Sequence, residues 1–163
     1  GHSRASSGGD TRIIRATYGP RRLYTAMAAR ALRRWREEDA RWHHGCLRPS
    51  GAIWMSGADD RFAMESAAAL ADEDLRVEML DPAEAGRRWP QINFEGIRSV
   101  LHEPDAGFLY ARRACLRVAE QFVAEGGRFL QARLRQPCDP ASLVFDDGTP
   151  VEADAVVVAA GPW

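Results

Sequence analysis

The helical period of apolar and polar positions is first seen between Pro20 and about Arg41. Leu23, Met27, Ala31 and Trp35 recur every four residues, and Arg30, Arg33, Arg34, Arg36, Glu37 and Glu38 fill the positions between them. This predicts an amphipathic helix with that stripe as its apolar face. Upstream, residues 1–10 are small, polar and Gly-rich and predict a loop. Downstream, the short apolar run from Gly51 to Gly57 predicts a buried strand, and the Ala-rich stretch from Asp60 to about Asp72 a helix. Weak alternation from Arg76 to Leu80 predicts another strand. Asp81-Pro82-Ala83-Glu84 is a helix start: Asp81 caps, Pro82 suits the first helical position, and Glu84 stands where a capping box places its acid. Pro90 keeps that helix short.

In the second half, Ile97–His102 and Gly107–Tyr110 predict strands on either side of the turn Glu103-Pro104-Asp105-Ala106. Ala111 to Glu125 predicts a helix with Cys115, Val118, Ala119 and Phe122 on one face, ended by Gly126-Gly127. Arg128–Leu134 predicts a strand. Leu143–Phe145 and Val151 flank Asp146-Asp147-Gly148, a hairpin signal. Ala155–Ala159 is apolar without alternation, which predicts a strand covered on both faces, as in a parallel sheet under helices. The pattern as a whole is α/β (mixed α+β), a mixed sheet with flanking helices. Its opening residues read as mid-loop and its last strand as one that feeds a further element, so both ends read as truncated.

Composition narrows the chemistry. Lys and Arg together number 22 against 23 Asp and Glu, for a formal net charge of -1, which argues against a general nucleic-acid binder. No apolar run reaches the roughly 20 residues that span a bilayer, so no membrane role is expected. No leader pattern is visible either, giving a cytoplasmic expectation. Every basic residue is Arg; there is no Lys. A lysine Schiff base and a Walker lysine are thereby excluded within these residues, and cationic chemistry must come from planar, permanently charged guanidinium groups. Cys46, Cys115 and Cys138, with His2, His43, His44 and His102, have neither disulfide-framework nor zinc-ligand spacing. Cys115, on an apolar helix face, is expected to be a buried, inert thiol.

Two segments can carry chemistry. Ser6-Ser7-Gly8-Gly9-Asp10-Thr11-Arg12-Ile13-Ile14-Arg15 combines small residues, which let a backbone approach a ligand, with two arginines suited to bidentate binding of carboxylate or phosphate. On a helical turn Arg12 and Arg15 share a face; on a strand they point to opposite sides. The plain reading, a surface loop followed by solvated arginines, stays open at this point. The second segment, Asp154 to Trp163, ends its apolar run in Ala159-Ala160-Gly161, which suits close packing against a flat or anionic ligand at a sheet edge, or a plain core strand and turn. No GxGxxG occurs in the chain.

Taken in order, Ser6 to Arg15 with Tyr18-Gly19, then Arg88-Trp89-Pro90, Glu103-Pro104-Asp105-Ala106-Gly107 and Ala155 to Trp163, the chain resembles the flavin-dependent amine oxidases of the monomeric sarcosine oxidase and N-methyltryptophan oxidase group, in the D-amino-acid-oxidase-like superfamily. The resemblance implies an internal piece of a two-domain FAD-binding fold. Residues 1–20 would be a flavin-contacting loop and 21–50 a helix of the FAD domain. Residues 51–110 would be part of the substrate domain, and 111–163 a return to the FAD domain. It implies FAD as cofactor and, as partner, a small amino acid or amine substrate; oligomeric state is left open. Ser6, Ser7, Gly8, Gly9, Thr11, Arg12, Ala159, Ala160 and Gly161 would contact the cofactor. Arg12 would lie beside the isoalloxazine ring, and Arg15 would grip the substrate carboxylate. The implied reaction is oxidation of the C–N bond of an amino acid or N-methyl amino acid, with these 163 residues alone expected to be inactive. Gly8 departs from the group, whose members often carry His there. The rival reading is a non-catalytic α/β module that binds an anion or small molecule without flavin.

Overall fold

The computed structural model describes residues 5–43, 45–135 and 142–159. Helices and strands are mixed along the chain, as the pattern predicts, and every ladder among the described residues is antiparallel. One sheet orders β1 (Thr11–Ile14), β6 (Gly107–Tyr110) and β2 (Leu47–Arg48), with β6 in the centre. A second orders β3 (Ala52–Ser56), β5 (Ser99–Glu103) and β4 (Glu78–Leu80), with β5 in the centre. β7 (Ser142–Val144) and β8 (Pro150–Glu152) form the expected hairpin, with Gly148 at φ 85° in its turn.

The centre of the molecule follows from the period of β5. Successive side chains on a strand face opposite ways. Val100 enters a cluster with Leu80, Ala85 and Phe94, beneath α3 (Pro82–Arg88). Its neighbour Leu101 enters the other cluster, with Ala16, Ala29, Leu32, Ala63, Leu70 and Leu75, between α1 (Arg22–Trp42) and α2 (Arg61–Asp72). The short helix α3 starts as its sequence predicts, the Asp81 carboxylate accepting the Glu84 amide at 2.8 Å. The Glu84 side chain pairs with Arg88 at 2.6 Å instead of closing a capping box, because a guanidinium one turn on is a stronger partner than a backbone amide.

Four expectations are corrected. On α1 the buried positions are Thr25, Ala29 and Leu32; Leu23 is 71% and Met27 59% exposed. Ala29 and Leu32 enter the core between α1 and α2, while Met27 and Ala31 of the predicted stripe line an outer cavity. On α4 (Ala111–Ala124), Ala111 and Ala114 are buried, while Val118 and Phe122 are exposed and Cys115 is only half-buried. Arg128–Leu134 is irregular apart from a single bridge, Leu134 to Phe145. Ala155–Ala159 is irregular as well, with Val157 89% exposed. A fully apolar strand needs a paired neighbour and two covering layers, and no described strand lies beside it.

Candidate functional site

Each predicted arginine lies at one end of the edge strand β1. Thr11, Arg12, Ile13 and Ile14 pair with Tyr110, Leu109, Phe108 and Gly107 of β6, and Arg15 follows directly. The strand alternative therefore holds, and Arg12 and Arg15 enter separate cavities.

Arg12 folds back onto the small-residue loop. Its Nε donates to the Ser6 carbonyl at 2.5 Å and its Nη1 to the Thr11 carbonyl at 2.7 Å. Gly9 allows this: a Cβ there would lie 2.4 Å from Arg12 Nη1. The loop is tied from the far side by α4. Arg112 Nε donates to the Gly8 carbonyl at 2.9 Å, and the Ala111 amide to the Asp10 carbonyl at 2.9 Å. Gly8 is buried, Ser7 and Gly9 half-buried, and Ser6, Thr11 and Arg12 exposed. Ser7 and Arg12 line a cavity of about 350 Å³ whose other walls are apolar: Trp35, Leu109, Ala114 and Val118 among them.

Arg15 opens instead onto a cavity of about 510 Å³ formed with Ile13, Tyr18, Tyr24, Met27 and Ala31. Met27 and Ala31 of the stripe that the sequence marks on α1 thus line this cavity, while Trp35 lines the one at Arg12. The Arg15 guanidinium stands over the Tyr18 ring at 4.8 Å and the Trp54 ring at 5.5 Å, and donates to the Thr17 carbonyl. Trp54 is itself braced by Phe62, with ring centroids 4.8 Å apart. Among the described residues, neither Arg12 nor Arg15 forms an ion pair with a carboxylate, whereas many of the other arginines do.

The turn between β5 and β6 supplies two carboxylates that pattern reading left without a role. Glu103 is fully buried and accepts the Ala16 amide at 2.7 Å and the Thr17 hydroxyl at 2.6 Å. Asp105 gathers Arg76, by its amide at 2.9 Å and its guanidinium at 2.9 Å, and Arg36 at 3.1 Å. Burial pushes the Asp105 carboxyl up, but the hydrogen bonds from Arg76 and Arg36 outweigh it and hold the pKa at about 2. Cys46 is buried, and burial, helped by nearby Asp39, pushes its thiol up, as befits an inert cysteine.

Of the second predicted segment, Ala159 is exposed and irregular, and Ala160 and Gly161 lie outside the described residues, as do His2, His44 and Cys138. Among the described residues no group of three or more His, Cys, Asp or Glu could hold a metal ion, and no helix is long and apolar enough to cross a membrane. Sequence reading missed the contacts of Glu103, Trp54 and Arg112. Only Glu103 left a trace: two residues past Leu101 on one strand, it shares that residue's inward face.

Comparison with known proteins bears on this arrangement. Monomeric sarcosine oxidase of Bacillus sp. (strain B-0618) is 28% identical over 99% of this chain and 43% of its own length. N-methyl-L-tryptophan oxidase of Citrobacter koseri is 32% identical over 99% of this chain and 44% of its own. The chain therefore spans less than half the length of these relatives. In fold it is similar to L-proline dehydrogenase from P. horikoshii, with TM-score 0.73 and 12% identity over 85% of this chain and 38% of that one. The family model for FAD dependent oxidoreductases matches residues 2–163. By that match over nearly its whole length, the chain belongs to the FAD-dependent oxidoreductases.

Proposed function

We propose that this chain is part of an enzyme that oxidises the C–N bond of an amino acid or N-methyl amino acid. The observation that carries the reading is the pair of guanidiniums at the two ends of β1, Arg12 held by the Ser6 and Thr11 carbonyls and Arg15 by the Thr17 carbonyl and the Tyr18 and Trp54 rings, with neither neutralised by a carboxylate among the described residues. The names of the relatives, oxidases of sarcosine and of N-methyl-L-tryptophan, support a substrate that carries both an amine and a carboxylate.

The residues present fit a flavin. The Ser6–Gly9 loop has small side chains, and its Arg12 cation is free for an electron-rich group. FAD, when bound, supplies the acceptor for a hydride equivalent from the carbon next to nitrogen. Arg12 would stand beside the ring, its fixed charge favouring electron gain. Arg15 would bind the substrate carboxylate through its planar fork, with Tyr18 and Trp54 keeping it in one orientation. The substrate's apolar part would lie along the wall of Ile13, Tyr24 and Met27. Residues 1–50 and 111–163 would belong to the FAD-binding part and 51–110 to the substrate-facing part.

The test is the affinity for acetate of the complete FAD-loaded enzyme of which these residues are part, read from the flavin spectrum, in wild type, Arg15→Lys and Arg15→Met. Removing hydrogen bonds to a charged group costs about 1.5–3 kcal/mol, so Arg15→Met should weaken acetate roughly 10- to 150-fold. Arg15→Lys should recover only part of this, because an ammonium keeps the charge but not the fork. Equal affinities in all three would refute the assignment.

A further inference from the structure

We propose that Glu103 is the positioning residue of Arg15: a buried carboxylate whose hydrogen bonds to Ala16 and Thr17 set where the guanidinium stands. The inference rests on the reading of Arg15 as the carboxylate anchor.

Glu103 ends β5 and is 0% exposed. Among the described residues no arginine or histidine pairs with it. Burying a carboxylate without a cation is costly unless its oxygens are met by good donors. Here each oxygen has one. Oε1 accepts the Ala16 amide and Oε2 the Thr17 hydroxyl, at 2.7 and 2.6 Å, the short lengths typical of charge-assisted bonds. Both donors belong to residues that are themselves buried, Ala16 at 0% and Thr17 at 2%. They are also the two residues directly after Arg15.

The chain of contacts leads back to the guanidinium. Thr17 gives its hydroxyl to Glu103 and its carbonyl to Arg15. Beyond Thr17 the segment is pinned again, by the Gly19 amide donating to the buried Ser66 hydroxyl at 2.8 Å. Arg15 therefore leaves an edge strand into a stretch held at two points by side chains from β5 and α2. Glu103 is the nearer of the two and the one that contacts the residue accepting from Arg15. Shifting Thr17 moves that carbonyl, and with it the guanidinium between Tyr18 and Trp54. A fork that binds a carboxylate bidentately tolerates little displacement.

The experiment uses the complete FAD-loaded enzyme that contains these residues, with Arg15→Met, Glu103→Ala, Glu103→Gln and Thr17→Val. It reads three quantities: the Kd of acetate, the Kd of uncharged acetamide, and hydrogen exchange of the backbone amides of residues 13–18. Glu103→Ala should weaken acetate by about tenfold or more, as expected for a displaced binding group, leave acetamide unchanged and speed exchange in that segment. Glu103→Gln should restore acetate binding, because its carbonyl oxygen still accepts from Ala16 and its amide can donate to the Thr17 oxygen. Thr17→Val should fall between, and it decides the matter if Glu103→Ala does not fold. Lower melting temperature with unchanged acetate affinity in Glu103→Ala and Thr17→Val would overturn the proposal, leaving Glu103 a purely structural group. Failure of Glu103→Gln to restore binding would overturn it too. If Arg15→Met itself leaves acetate binding intact, the carboxylate reading fails separately. Exchange then judges the anchor alone, and protection unchanged in Glu103→Ala would sink it.

Discussion

Arg12 and Arg15 stand three positions apart in sequence but serve different cavities, because the strand between them turns their side chains to opposite faces. Their supports differ accordingly: carbonyls of its own loop for Arg12, rings from β3 and the following segment for Arg15. If Arg12 stabilises the reduced ring, Arg12→Met should slow flavin reduction by about 10²–10³-fold with little change in substrate affinity, since losing one preorganised charge acts on the transition state. Gly9→Ala offers a gentler version. The atoms nearest its new Cβ belong to the far end of the Arg12 side chain, so the fold should survive while the guanidinium is pushed away. Stopped-flow reduction of the flavin by substrate measures both. A normal reduction rate with poor affinity in Arg12→Met would mean that the roles of the two arginines are exchanged. Neither role was legible from residue type alone, since 22 arginines share it. Their places beside the Ser6–Gly9 loop and the Tyr18 and Trp54 rings set these two apart, and only the folded chain shows that.

The turn between β5 and β6 is the element that joins the site to the rest of the fold. Glu103 holds the segment after β1, and Asp105, two residues on, holds α1 through Arg36 and the approach to β4 through Arg76. The Asp105 carboxyl lies at about 2 in the folded chain against an ordinary 3.8. Its contribution to stability, roughly 2 kcal/mol by that difference, is fully present above the unfolded value and is lost as pH falls from about 4 toward 2. Asp105→Asn should therefore melt below wild type at pH 6, with the gap closing as pH drops through that window. A gap that stays constant from pH 6 to pH 2 would show that the ionised carboxylate is not what stabilises the turn. The positions of most elements were readable: helices at α1 to α4, the strands at β3 and β4, and the final hairpin all lie where period, caps and turn residues indicate. The faces of α1 and α4 were not. Periodicity marks an apolar stripe, but whether that stripe meets a core or a cavity depends on what packs beside it.

At the scale of the whole molecule, the chain covers 43% of the length of a sarcosine oxidase relative and contains no GxGxxG. The usual glycine fingerprint of a dinucleotide phosphate site is therefore not among these residues. We expect the 163 residues, expressed by themselves, to lose FAD during gel filtration and to oxidise no amine; flavin absorbance travelling with the protein peak would contradict this. The sequence by itself determined the mixed α/β class, the order of most elements and the small-residue loop with its two arginines. Each of these is local, set by side-chain period, caps and backbone freedom over a few residues. Tertiary structure alone decided that Leu23 and Met27 face outward, that Ala155–Ala159 has no strand partner among the described residues, and that Arg15 is framed by Trp54 from β3 and backed by Glu103 from β5. Those outcomes depend on contacts between residues far apart in the chain. Such contacts form only when several elements bury surface together, and no local pattern of residues records which partner each face will meet.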